Sequence, residues 1–318
     1  MSLPKYSVII PVYNRPLEVN ELLESLSLQT NKNFEVILIE DGSSITSETV
    51  YEQYADKLSI HYFFKPNSGP GPSRNFGFER AKGEYFVVFD SDCVVPDHYF
   101  ETVDNFLLSE SLDAWGGPDK GRQDFTNLQQ AMGFTMSSIL TTGGIRGGKQ
   151  KGFQPRSFNM GISRKVFEQT GGFMFDRFAE DIELSVRMKR LGFRTGLIPG
   201  AYVYHKRRTS FSQFFKQVSN FGKGRVLVGK AHPGEIKVTH WFPAFFLIGL
   251  ILLPAGFIFF PGLTLVGLTC YFLYLFLISL DCFLTTRSIT VSILSIPSAI
   301  IQLTGYGYGF LKELFGSK

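Results

Sequence analysis

The sequence predicts an α/β domain built on a mostly parallel sheet, followed by a membrane region of apolar helices. Two observations predict it. Short β-branched runs alternate with helix-spaced leucines in the N-terminal two thirds, the pattern of strands joined by helical crossovers. From Trp241 onward, long uncharged apolar runs follow one another, without the polar face that a soluble helix carries. The expected division is a first domain over 1–235 and a membrane region over 236–318.

Taking the elements in order, 7–12 and 34–39 are apolar on consecutive positions, as strands covered on both faces should be. Leu17, Leu22, Leu23 and Leu26 recur between them at helical spacing. Runs at 60–64 and 85–89 supply two more strands, with an Ala/Gly-bearing helix expected over 73–82. Residues 1–6 lead straight into the first strand, so no signal peptide is expected. Farther on, 241–260 and 263–280 each match the roughly 20 apolar residues that cross a bilayer core. The third run, 288–310, contains Pro297 and three glycines and reads as a span, a re-entrant segment or an interfacial helix. Asp281 lies near Arg287 at the end of the second run and reads as interfacial.

Composition narrows the function classes. Hydrophobic residues make up 44% of the 318-residue chain and charged residues 19%, which excludes a disordered polyelectrolyte. The net charge of +4 would suit nucleic acid only weakly. Lys and Arg crowd 206–237, just before the first apolar run, and point to a membrane surface, with no nucleic-acid partner. The 260–262 turn has no Lys or Arg, so the first domain is expected on the cytoplasmic side of the cytoplasmic membrane. Cys93, Cys270 and Cys282 form no Cys-x-x-Cys pair and read as reduced thiols.

In open α/β sheets, ligands bind at the carboxyl edge. The first strand ends in Pro11-Val12-Tyr13-Asn14-Arg15, the second in Glu40-Asp41-Gly42-Ser43-Ser44 and the fourth in Asp90-Ser91-Asp92. Any one cluster could be a turn or a helix cap; three at three edges predict one cleft. Two carboxylates one residue apart at a strand end can hold a hard divalent cation, Mg²⁺ or Mn²⁺, and a ribose hydroxyl together.

With SVIIPVYNR, VILIEDGSS, GPGPSRNFGFERAKGEYFVVFDSD, FNMGISRKVFEQTGGF and AEDIELSVRMKRLG in that order, the chain resembles family 2 of the glycosyltransferases over residues 5–225. These are inverting nucleotide-sugar enzymes with the GT-A fold, a Rossmann-like domain. The resemblance implies that Pro11, Tyr13 and Asn14 line the nucleotide site and that Asp41 pairs with the base. It implies Arg74 near the pyrophosphate, Asp92 on the metal and Asp90 beside it on the ribose side. The catalytic base would be Asp181, with its neighbour Glu180 positioning the acceptor. His205 would be a further metal or phosphate ligand. Independently, an Arg fork suits a diphosphate, and adjacent carboxylates can split their pKa values so that one serves as base. A carboxylate at a helix start could equally be a cap.

Residues 143–149 fit the first seven positions of a P-loop, but Gln150 stands where the magnesium-binding hydroxyl belongs, so the segment reads as a basic loop, either a lid or plain surface. Phe211, Phe214, Phe215 and Val218 predict an amphipathic helix lying on the membrane or against the domain core. Gln213-Phe214-Phe215-Lys216-Gln217 lacks the Gln-x-x-Arg-Trp of processive relatives. The resulting expectation is single-sugar transfer from a UDP- or GDP-sugar to a lipid-linked or membrane-proximal glycan hydroxyl. The alternatives are transfer to a polyprenyl phosphate and a non-catalytic nucleotide-binding scaffold.

Overall fold

The computed structural model describes residues 3–121, 125–142, 153–206 and 208–316. Loop 143–152, read above as a basic loop, lies outside the described residues. In chain order come β1 (Tyr6–Val12), α1 (Pro16–Ser27), β2 (Phe34–Asp41), α2 (Glu48–Tyr54), β3 (Ile60–Lys65) and α3 (Pro70–Phe78). Then follow β4 (Tyr85–Phe89), β5 (Cys93–Val94), α4 (Tyr99–Ser109), β6 (Ala114–Gly116), β7 (Asp119–Lys120), α5 (Asn127–Ser137) and α6 (Ile139–Thr142). The chain continues with β8 (Asn159–Ser163), α7 (Arg164–Thr170), α8 (Glu180–Arg190), β9 (Thr195–Leu197) and β10 (Val203–His205). It ends in α9 (Phe211–Ala231), α10 (Phe242–Phe259), α11 (Pro261–Thr286) and α12 (Ile289–Phe315).

A seven-stranded sheet in the order β3-β2-β1-β4-β8-β6-β9 forms the first unit. β3, β2, β1 and β4 pair in parallel, and β8 enters antiparallel to both β4 and β6. The predicted GT-A-type, mostly parallel sheet is present. Side chains alternate across it, as the two-residue period of a strand demands. Val8, Ile10, Val36, Leu38 and Val87 enter one core with Leu22 and Leu26 of α1. Ile9, Ile37, Ile39, Phe86 and Val88 enter the other with Leu184 and Met188 of α8. Consecutive apolar residues are needed because both faces are covered. Helix α3 starts earlier than the 73–82 expected, since Pro70 fits the first turn of a helix. A small sheet, β5-β10-β7, brings His205 opposite Cys93.

The structure divides elsewhere than at 235. The sheet unit is 1–122 with 150–206, and the second unit is 123–149 with 207–318. Packing explains the shift. Met132 and Met136 of α5 share a core with Phe214 and Val218 of α9, and Ala131 packs with Cys282 and Val291. The amphipathic face of α9 is therefore covered inside its own unit. Its close approach to α12 needs glycine: a Cβ on Gly309 would stand 1.9 Å from the Ser219 carbonyl oxygen.

Three helices, Val238–Phe259, Pro261–Thr286 and Ile289–Phe315, are long and apolar enough to cross a membrane. α12 runs unbroken through Pro297. It is the central one, with 44% of its most apolar stretch buried against 17% and 11% for the others. Asp281 accepts a hydrogen bond from Ser138 Oγ at 3.1 Å.

Candidate active site

The carboxyl ends of β1 and β2 are locked together by Asn14. Its φ of 55° is the left-handed conformation that Asn tolerates. Its Oδ1 accepts from the N–H groups of Ser44 and Ile45 at 2.9 Å, and its own N–H donates to Ser43 Oγ at 2.7 Å. The chain reversal leaves Tyr13, with 54% of its surface exposed, free to meet a flat ligand. Pro11 sits half-buried in β1, level with Ile39.

Asp41 closes the neighbouring corner. Its carboxylate accepts from the N–H groups of Ser68 and Gly69, both at 2.9 Å, and from the Lys65 ammonium. Gly69, at φ 100°, turns the chain into α3. Burial alone would push the Asp41 carboxyl up, but Lys65 and the two amides outweigh it and hold it below its usual range. Both oxygens are thus engaged within the protein, so any base contact is shared with the 66–69 loop.

Asp90 and Asp92 part company at the end of β4. Asp92 Oδ1 lies 3.0 Å from His205 Nε2, and its Oδ2 accepts from Arg15 Nη1 at 2.5 Å. Burial opposes ionisation of Asp92, yet His205 and then Arg15 hold its carboxyl far below the usual range. His205 is desolvated, but bonding to Asp92 raises its pKa. Phe158 stacks on the imidazole at 5.2 Å and 9°. Asp92, Cys93 and His205 bring ligand atoms within 4.8 Å of one another. Cys93 is the poor donor of the three, because burial pushes its thiol well up and it donates to the Phe158 carbonyl. A carboxylate with an imidazole fits a Mn²⁺- or Mg²⁺-class ion that keeps positions for phosphate oxygens.

Asp90 belongs instead to a bridge through Arg74. Arg74 Nη2 donates to Asp90 Oδ1 at 2.7 Å and Nη1 to Glu180 Oε1 at 2.7 Å. The side chain is only 3% exposed, packs over Phe173 and leaves Nε without a partner. Expected at the pyrophosphate, Arg74 is enclosed between two carboxylates with both terminal nitrogens taken.

Glu180 and Asp181 open α8, where acidic residues complement the helix dipole. Burial pushes the Glu180 carboxyl up; Arg74 pulls against that and Asp181's charge adds to it. Ser157 Oγ also donates to Glu180 at 3.2 Å. Asp181 is less enclosed, 15% exposed, with Arg156 Nη1 3.8 Å from its Oδ2. Of the two, Asp181 is the more exposed carboxylate, 15% against 9%.

The model of Glycosyl transferase family 2 matches residues 7–171. The chain belongs to that family. Over 114 residues it is 38% identical to an uncharacterized glycosyltransferase of Haemophilus influenzae, covering 35% of this chain and 46% of that protein. Over 106 residues it is 39% identical to the minor teichoic acid biosynthesis protein GgaB of Bacillus subtilis, covering 32% of this chain and 12% of that one. The chain thus spans less than half the length of these relatives. A mannosyltransferase, PcManGT from Pyrobaculum calidifontis, solved with GDP-Man and Mn²⁺, shares the fold at TM-score 0.65 and 16% identity, covering 100% of this chain and 89% of that one.

In this family 2 chain, the sequence reading missed Arg15, Lys65, Ser157 and Phe158. Arg15 directly follows Asn14 and could have been weighed as a strand-end cation. Lys65 ends β3, where no acidic residue marks the strand end. Ser157 and Phe158 precede β8, Phe158 as the first residue of the FNMGISRKVFEQTGGF motif; only the fold brings them to Glu180 and His205.

Proposed function

We propose that the chain is a membrane-anchored, inverting glycosyltransferase. It would move one sugar from a UDP- or GDP-sugar to a hydroxyl of a lipid-linked or membrane-proximal glycan. The observation that carries this reading is the Arg74 bridge. By joining Asp90 to Glu180, it brings the donor-side strand end and the start of α8 into one cleft.

Asp181 accepts the proton of the acceptor hydroxyl, whose oxygen attacks the anomeric carbon as the bond to the diphosphate breaks on the opposite face. The bonding electrons leave with the diphosphate, and no covalent sugar–enzyme species forms. Asp90 would take a ribose hydroxyl and Asp41 the base, with Pro11, Tyr13 and Asn14 lining the nucleotide site. Asp92 and His205 are the residues that would hold a divalent cation, which supplies charge to offset that of the leaving diphosphate. PcManGT's Mn²⁺ and GDP-Man support the use of a divalent cation. The lack of Gln-x-x-Arg-Trp supports single transfer, and the basic 206–237 stretch supports a catalytic unit on the cytoplasmic side.

The test is release of UDP or GDP from a panel of nucleotide sugars, with Mg²⁺, Mn²⁺ or chelator present. We expect metal-dependent turnover that Asp181→Asn abolishes while donor binding survives. Turnover retained in Asp181→Asn would point to a phosphate acceptor, and binding without any turnover to a scaffold.

A further inference from the structure

We propose that Arg15 is the cation that receives the donor diphosphate, and that Asp92 holds it in reserve until Asp92 takes up a divalent ion. This rests on the glycosyltransferase reading above and extends it to the phosphate contacts.

The inference starts from the lone pairs of Asp92. The carboxylate is 7% exposed, and His205 occupies one oxygen while Arg15 occupies the other. An ion taken up on Oδ2 would set a second positive charge beside the guanidinium, and their repulsion favours release of Arg15.

Arg15 is built to be released. Its side chain is 38% exposed, on the turn after β1, so the guanidinium can swing without unpacking a core. Once freed it remains near the ion with a planar fork, the geometry that matches a diphosphate.

Among the described cations at these strand ends, Arg74 is enclosed by Asp90 and Glu180 and is 3% exposed, and Lys65 is held by Asp41 and is 14% exposed. Arg15 is the more exposed cation and sits on the carboxylate that would take the ion, so the phosphate contact that the resemblance implies for Arg74 falls to Arg15.

The test uses the full chain in detergent and needs no turnover. Binding of Mn²⁺ alone is followed by loss of the free-ion EPR signal, and binding of UDP and GDP with Mn²⁺ by calorimetry. Two readouts should move in opposite directions. Arg15→Gln removes the competitor, so Mn²⁺ alone binds about threefold tighter. It also removes the fork, so the diphosphate binds about tenfold weaker. Arg15→Lys keeps the charge and loses the fork: Mn²⁺ affinity stays within about twofold and diphosphate binding weakens about threefold.

Mn²⁺ binding to Arg15→Gln that is unchanged or weaker overturns the hand-over, as does diphosphate affinity within about twofold of the parent. If Arg15→Gln does not fold, the Arg15→Lys diphosphate measurement decides in the same way. A parent protein that binds neither UDP nor GDP overturns the glycosyltransferase reading and this inference with it. A parent that binds one of them, beside an Arg15→Gln that binds it equally, overturns the inference alone.

Discussion

Arg74 Nη1 lies 2.7 Å from Glu180 Oε1, although 106 residues separate them in the chain. Removing one partner of a buried pair leaves the other charge uncompensated. We expect Arg74→Met to lower unfolding stability by about 3 kcal/mol, measured by denaturant titration in detergent. Adding Glu180→Gln should recover part of that loss; a double variant as unstable as the sum of both singles would dissolve the pairing.

Asp181 should matter to rate far more than to stability. Asp181→Asn is expected to cost about 10²–10⁴-fold in turnover, with nucleotide affinity and thermal midpoint close to the parent. Parallel losses of binding and turnover would mean that Asp181 shapes the site instead of taking the proton.

Metal affinity should follow Asp92 and His205, not Cys93. His205→Ala should weaken Mn²⁺ binding by about tenfold or more, while Cys93→Ser leaves it nearly unchanged. EPR titration of the two variants side by side decides the point.

Asp41 gives a pH signature. Its folded carboxyl sits below the usual value of 3.8, so its stabilising contribution is complete above that value. It is lost as the pH falls through the lower, folded one. At pH 7, Asp41→Asn should cost about 1.5–3 kcal/mol. The gap between variant and parent should close as the solution is acidified below the usual carboxyl range. A gap independent of pH would assign the loss to packing.

The helix contact in the second unit is similarly exposed to test. Gly309→Val would drive side-chain atoms into the Ser219 backbone and should cost at least about 2 kcal/mol, read as a lower midpoint in detergent. A neutral outcome would mean that α9 and α12 are not so closely packed.

Local chemistry decides how much of this was legible from sequence. The strands at 7–12, 34–39, 60–64 and 85–89 could be read because burial on both faces writes an unbroken apolar run. Asp90, Asp92, Glu180 and Asp181 could be read because they sit where elements begin or end. Partner choice could not. Nothing near Arg74 in sequence announces Glu180, and nothing in the run Pro11-Val12-Tyr13-Asn14-Arg15 announces that Arg15 reaches Asp92, since each pairing depends on the fold; His205 beside Asp92 was implied only by the family resemblance. The membership of α5 was hidden for a related reason: its Met132 and Met136 look like any helical core until their neighbours are known.

That placement of α5 sets it far in the chain from the helices that cover it. The segment emerges between β7 and β8, yet the faces that cover Met132, Ala131 and Ser138 arrive with α9 and α11. A polypeptide trimmed after residue 235 to obtain a soluble enzyme would leave Ala131 and Ser138 with neither Cys282, Val291 nor Asp281. Such a fragment is expected to aggregate unless α5 is excised as well, a practical warning for anyone dividing this protein by its sequence alone.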